Sequence, residues 1–215
     1  GKMAYLVEIA PFLLEGFKTT LWVFAITALF SIPLGIIVCL LRLSKIKIIS
    51  LITQGYILIM RGTPLLLQII FVYFGLSIMG IVLNRELSVS IAFILNYAAY
   101  FGEIFRGGIN SIDIGQFEAA KVLRLPKTTT YLGIILPQVF KIVLPSLGNE
   151  LITLVKDTSL VYTLGLGDIL RAAKTLSNKD ATIMPLFIAG GIYLIFIWFV
   201  TLVLKEVEKR FEYYR

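Results

Sequence analysis

Residues 116–137 read QFEAAKVLRLPKTTTYLGIILP. Glu118, Lys121, Arg124 and Lys127 fall in this stretch, between one strongly apolar block that ends near Arg106 and another that begins near Tyr131. Unpaired charges are costly in hydrocarbon, so a segment this charged between two apolar blocks lies on an aqueous face and joins two membrane spans. Taken as a short helix over 116–123, it places Phe117, Ala120 and Leu123 on one side and points Glu118 and Lys121 elsewhere. Pro126 is expected to stop it. A short amphipathic helix between spans can serve as a knob for a soluble partner; the plainer alternative is an ordinary cytoplasmic loop.

The composition around it is that of an integral membrane protein. Of 215 residues 58% are hydrophobic and the mean hydropathy is +0.91, whereas a soluble domain is nearer half apolar. The excess lies in long uncharged runs. The net charge of +7 does not indicate nucleic acid, because the basic residues cluster beside those runs, as the positive-inside rule expects. Cys39 is the single cysteine and there is no histidine, which rules out an intrachain disulfide and argues against zinc or haem. No G-x-x-x-x-G-K-[ST] occurs, so any ATP site of that kind belongs to another polypeptide.

Taken in order, the chain predicts an all-α membrane protein of about five transmembrane helices in a single domain over 1–215, with the N-terminus outside and the C-terminus cytoplasmic. Residues 3–15 read as a short interfacial helix and a turn, and the N-terminus shows no basic stretch with a cleavage site, so the first span is expected to stay uncleaved. The spans are expected at about 19–41, 62–80, 87–106, 128–155 and 181–204, with the cytoplasmic helix at about 115–125. Gly62 and Pro64 suggest a break before the second span proper, and Gly107 and Gly108 an end to the third. Gly190 and Gly191 suggest close helix packing in the fifth, and a short helix near 167–175 is expected to cap the outer mouth. Arg42, Lys45, Lys47, Arg106, Lys121, Arg124, Lys127, Lys205, Lys209, Arg210 and Arg215 all fall on the cytoplasmic side in this threading.

Polar residues inside spans are candidates for function by default. Asn96, Tyr100 and Glu103 share one face of the third span, and Glu150, Thr153 and Asp157 share one face of the fourth. The plainer reading of Glu103 is a pair with Arg106, three residues on. Lys141 is expected to snorkel or to pair with an acid.

The run Glu118-Ala119-Ala120, followed by Ile134 and Leu136-Pro137, resembles the EAA loop of permeases of the ATP-binding-cassette (ABC) importer class. RGTPLLLQIIFVYFGL (61–76), YFGEIFRGGI (100–109) and KDTSL (156–160) resemble the polar amino acid permeases of that class, similar to those for basic amino acids and glutamine. Separated blocks matching in order between about 61 and 160 are more specific than one short motif. The resemblance implies a multi-pass permease of a bacterial inner (plasma) membrane, paired with a second identical or related permease. Two cytoplasmic ATPase subunits would hold ATP and Mg, and an extracytoplasmic binding protein would deliver the amino acid. Glu118, Ala119, Ala120, Lys121 and Arg124 would form the coupling surface. Where the family usually has glycine this chain has Arg124, and a direct contact from Arg124 to the ATPase is expected in place of a tight turn.

The candidate substrate set is therefore Asn96, Tyr100, Glu103, Glu150, Thr153 and Asp157. Three carboxylates without an equally central pair of cations favour a positively charged solute, so arginine, lysine or histidine is expected ahead of glutamine, with Glu150 carrying most of that preference. An ATP-independent channel or secondary carrier is the alternative from another class; it would not need an exposed EAA helix. An intramembrane enzyme would need convergent catalytic groups, and no such set stands out. No catalytic residue and no metal ligand is assigned.

Overall fold

The computed structural model describes residues 1–211, almost all of them helical; Arg215, counted above with the cytoplasmic charges, lies outside the described residues. In chain order the helices are α1 (Lys2–Arg42), α2 (Lys47–Gly62), α3 (Leu65–Ile78), α4 (Arg85–Asn110), α5 (Ile114–Val122), α6 (Thr129–Leu164), α7 (Ile169–Asp180) and α8 (Met184–Phe211). Four of these are long and apolar enough to cross a membrane singly, and α2 with α3 makes a fifth span broken by a bend of 107°. α4 is the central element. It packs against α1, α2 and α6, and its Phe93, Tyr97 and Phe101 are among the largest fully buried side chains.

The interfacial helix and turn expected over 3–15 are not formed. α1 runs unbroken for 41 residues, about 60 Å, through Pro11 and Pro33. Its first turns are held by tertiary packing: Ile9 and Leu13 are buried against Ile169, Ala173 and Leu176 of α7, and this contact outweighs the local cost of Pro11. Farther along, small residues let α1 approach α4 closely. A Cβ on Gly35 would lie 2.7 Å from Phe101 Cβ and 3.2 Å from Gly102 N. Gly35→Ala is therefore expected to lower stability by about 1–3 kcal/mol, read as a lower melting temperature of the detergent-purified protein.

Other expectations are corrected in the same physical terms. Gly107 and Gly108 do not end α4, which continues to Asn110. Gly108 is instead a point of close approach, since a Cβ there would meet Val143 Cγ1 at 2.5 Å and Val139 Cγ1 at 3.0 Å. Gly190 and Gly191 make no close helix contact within this chain, because a Cβ on either would meet nothing within 4 Å; α8 packs through Ala189, Phe196 and Val200. Of the two alternatives for Lys141 only the pairing is removed: it has no acidic side chain within ion-pair distance among the described residues, and snorkelling remains the expectation.

The outer cap helix begins at Ile169 and extends to Asp180. Its N-cap is Asp168, fully buried, whose carboxylate accepts from Arg171 N at 3.0 Å and from Tyr193 Oη at 3.5 Å. Gly16 of α1 lies so close that a Cβ would be 2.7 Å from the Asp168 carbonyl oxygen. Burial pushes the Asp168 carboxyl up to about 6, above its ordinary 3.8, although the Arg171 N–H opposes the rise. The fold thus favours the neutral acid. This stabilisation is complete below the ordinary aspartate range and is lost as pH rises through about 6. The melting temperature of the wild type is expected to fall more between about pH 4 and pH 7 than that of Asp168→Asn; equal slopes would contradict this.

Candidate functional site

The site is organised by the corner between α2 and α3. Thr63 is extended (φ −120°, ψ 152°) and Pro64 follows it. Pro64 has no N–H to give the Met60 carbonyl four residues earlier, yet that carbonyl is not orphaned. It accepts from Gln68 Nε2 at 3.0 Å and from Asn96 Nδ2 at 3.2 Å. Asn96 also donates to Gln68 Oε1 at 2.9 Å, and Gln68 Nε2 reaches Thr63 Oγ1 at 2.8 Å. Tyr56 Oη donates to the Leu95 carbonyl, fastening α2 to α4. A buried polar network with its groups satisfied fixes geometry, and here it fixes where Arg61 and Thr63 are presented.

Beside the corner lies a cavity of about 640 Å³ lined by Arg61, Thr63, Tyr100, Glu150, Thr153 and Asp157, with Asn96 and Tyr97 in its wall. Five of the six sequence-derived candidates thus meet in one place. Asn96 is there as part of the corner, only 4% exposed and committed through its amide to Met60 and Gln68. Asp157 accepts from Tyr97 Oη at 2.6 Å. Thr153 bonds back to the Asn149 carbonyl at 3.0 Å. Glu150, half-buried, has neither a hydrogen-bond nor an ion-pair partner among the described residues.

Glu103 lies elsewhere. It lines a second cavity, also about 640 Å³, on the cytoplasmic side, with Arg42, Arg61, Tyr100 and Arg106. It makes a two-point pair with Arg106, Nε at 3.0 Å and Nη2 at 2.7 Å, and a looser one with Arg61 Nη1 at 3.8 Å. The plain i,i+3 pairing accounts for this residue. Arg61 belongs to both cavities, with its guanidinium 5.5 Å from the centre of the Tyr100 ring. Sequence reading did not single out Arg61 and Tyr97, which line the cavity. The RGTP stretch was visible, but only as a helix break and a family match; Tyr97 sits one position off the polar face of α4 and gave no signal.

The cytoplasmic helix α5 begins at its N-cap Asp113, whose carboxylate accepts from Gly115 N at 2.8 Å. It ends before Pro126. Arg124 takes a left-handed conformation (φ 56°), with Leu125 N bonded to the Ala120 carbonyl and Arg124 N to the Lys121 carbonyl, both at 3.0 Å. This is a Schellman turn, so the tight turn that Arg124 was expected to replace is made by Arg124 itself, at a conformational cost of about 1–2 kcal/mol relative to glycine. Phe117 packs its ring 6.0 Å from Tyr131 and Ala120 is buried, but Leu123 does not share their side: as the cap residue it is 69% exposed. Ile114 and Val122 are 70% and 80% exposed, and Glu118, Ala119, Lys121 and Arg124 are exposed beside them. The result is a small apolar patch with charged neighbours at the cytoplasmic end of the bundle.

The sequence matches the family described as binding-protein-dependent transport system inner membrane component over residues 31–213. It is 39% identical over 204 residues to the arginine transport system permease protein ArtQ of Bacillus subtilis (strain 168), spanning 94% of this chain and 93% of that protein. It is 36% identical over 211 residues to the putative glutamine transport system permease protein GlnP of Rickettsia felis (strain ATCC VR-1525 / URRWXCal2), spanning 96% and 97%. Its fold superposes with a TM-score of 0.88, at 31% identity and over 96% of this chain and 97% of the other, on a chain of an amino acid ABC transporter crystallised with histidines. The helical bundle, the broken second span, the exposed helix between spans and these likenesses agree: the chain belongs to the binding-protein-dependent transport system inner membrane components, the permeases of ABC importers.

Proposed function

We propose that this chain is the permease subunit of an ATP-driven importer of basic amino acids in a bacterial inner membrane. The observation that carries the substrate class is Glu150, a carboxylate in the cavity wall that has no cation within ion-pair distance among the described residues, Arg61 of the same cavity acting on it only from farther off. A half-buried carboxylate without a direct partner is costly, and a guanidinium or ammonium from the solute would offset that cost through charge-assisted hydrogen bonds. Asp157 already accepts from Tyr97 and is the second acidic surface for the solute's cationic groups. Arg61, only loosely held by Glu103 at 3.8 Å, is the group for the α-carboxylate, with Thr63 beside it. Tyr100 and Thr153 complete the polar lining. The name of the Bacillus relative, an arginine permease, and the histidines of the similar crystal structure agree with a basic solute. The Rickettsia relatives, named as putative glutamine permeases, favour the second reading, a neutral polar amino acid held by the same carboxylates through its ammonium.

Two such permeases, identical or related, would enclose the pathway. Two ATPase subunits holding ATP and Mg would dock on the exposed face of α5 at Glu118, Ala119, Lys121 and Arg124, with Ala120 packed behind it, and a binding protein would deliver the solute from outside. Closure of the ATPase pair would move α5 and with it the spans, opening the cavity outward, and hydrolysis would reset it. The test is reconstitution with the ATPase in sealed liposomes. Amino acid uptake that requires ATP is expected. Equal uptake without ATP would return the chain to the channel or carrier class.

A further inference from the structure

The polar link between the docking helix and the site-bearing span is a reciprocal amide pair. Gln116 of α5 donates through Nε2 to Gln138 Oε1 at 3.0 Å, and Gln138 Nε2 donates back to Gln116 Oε1 at 2.6 Å. The same Gln138 Nε2 also reaches the Ile134 carbonyl at 2.9 Å, at the end of the π-helical first turns of α6, Thr129–Ile135. Both glutamines are half-buried. The ring contact of α5 with this region is apolar, Phe117 against Tyr131. An apolar contact is non-directional and tolerates sliding. Two antiparallel amide bonds do not, since both are lost when either amide plane turns.

From Gln138 the α-helix Leu136–Asp157 continues without interruption across Pro145 to the cavity. Glu150 stands twelve residues on (138 to 150), about 18 Å along the axis, with Thr153 and Asp157 beyond it. A displacement of α5 therefore has a directional grip on one end of a continuous rod that carries the substrate carboxylates on its other half.

We propose that Gln116 and Gln138 are positioning residues for transport: their amide pair converts movement of α5 into movement of α6, so that nucleotide turnover displaces the wall of the cavity. This rests on the reading that α5 docks on an ATPase. Without the pair, α5 tilts about the Phe117–Tyr131 contact and turnover proceeds with less movement of α6.

The test uses the reconstituted transporter with its ATPase subunits, and either labelled arginine or labelled glutamine, whichever the wild type carries. Gln116→Met and Gln138→Met keep side-chain length and remove the amides. The ATPase is expected to co-purify with both variants and to hydrolyse ATP, while solute moved per ATP falls about 10-fold, the effect of losing one to two hydrogen bonds. The paired variant Gln116→Glu with Gln138→Lys, which restores a directional link, is expected to recover most of that ratio. An unchanged ratio in both single variants overturns the proposal, as does a paired variant no better than the single ones. Hydrolysis and uptake falling together with the melting temperature also overturn it, because that is the signature of a merely structural contact. If wild-type chain retains no ATPase, the docking reading itself fails; if the ATPase is retained and the ratio is unmoved, only the role of the amide pair fails.

Discussion

Glu150→Gln is expected to reduce ATP-driven arginine uptake by about 10- to 100-fold, the range for losing a hydrogen bond to a charged group. The substitution is nearly isosteric and Glu150 has no hydrogen-bond or ion-pair partner among the described residues whose loss would disturb the fold. ATP hydrolysis and ATPase retention should therefore be unchanged. Glutamine, if carried at all, should compete better against arginine than before, because the charge that favoured a cation has gone while the shape has not. Asp157→Asn provides the contrast. It would weaken the 2.6 Å bond from the fully buried Tyr97, so both transport and melting temperature should fall. A selective loss in the first variant and a mixed loss in the second would separate solute binding from wall structure. Unchanged arginine uptake in a folded, ATP-hydrolysing Glu150→Gln would remove the charge argument.

The second large effect is expected at the cytoplasmic face. Leu123→Asp should lower retention of the ATPase by about 30-fold or more, the cost of losing an apolar anchor and burying a charge in its place. Leu123 is 69% exposed, so the permease alone should fold and melt as before. Glu118→Gln, at an exposed position on the same surface, should cost far less, because rim charges contribute little. Full ATPase retention by Leu123→Asp would mean that the exposed apolar end of α5 is not where the partner sits.

The sequence made the membrane class legible because uncharged runs of span length have few other physical meanings, and the charge-rich stretch at 116–127 could lie only in water. It also revealed a break at Gly62–Pro64, since glycine and proline interrupt helices locally. What it could not reveal was set by tertiary contact. Pro11 reads as a break until Ile9 and Leu13 are seen packed on α7. Gly107 and Gly108 read as a helix end, yet Gly108 is where α4 meets Val139 and Val143. Among the site residues, the i,i+3 spacing of Glu103 and Arg106 already contained the pair that the structure shows. The polar face of its span marked Asn96, which does line the cavity, but nothing local tells that Pro64, 32 residues earlier (64 to 96), leaves the Met60 carbonyl wanting a donor that Asn96 supplies. The link between Tyr97 and Asp157 spans two helices, and no periodicity within one helix could have indicated it.

The measurement that tests the central claim most directly is competition in proteoliposomes that hold this chain with its ATPase and binding protein. Unlabelled arginine, lysine, histidine and glutamine would each be tested against ATP-dependent uptake of labelled arginine. Displacement by the basic amino acids and not by glutamine is the predicted result. ATP-dependent uptake of labelled glutamine with no uptake of labelled arginine would contradict the account of the cavity while leaving the family assignment in place.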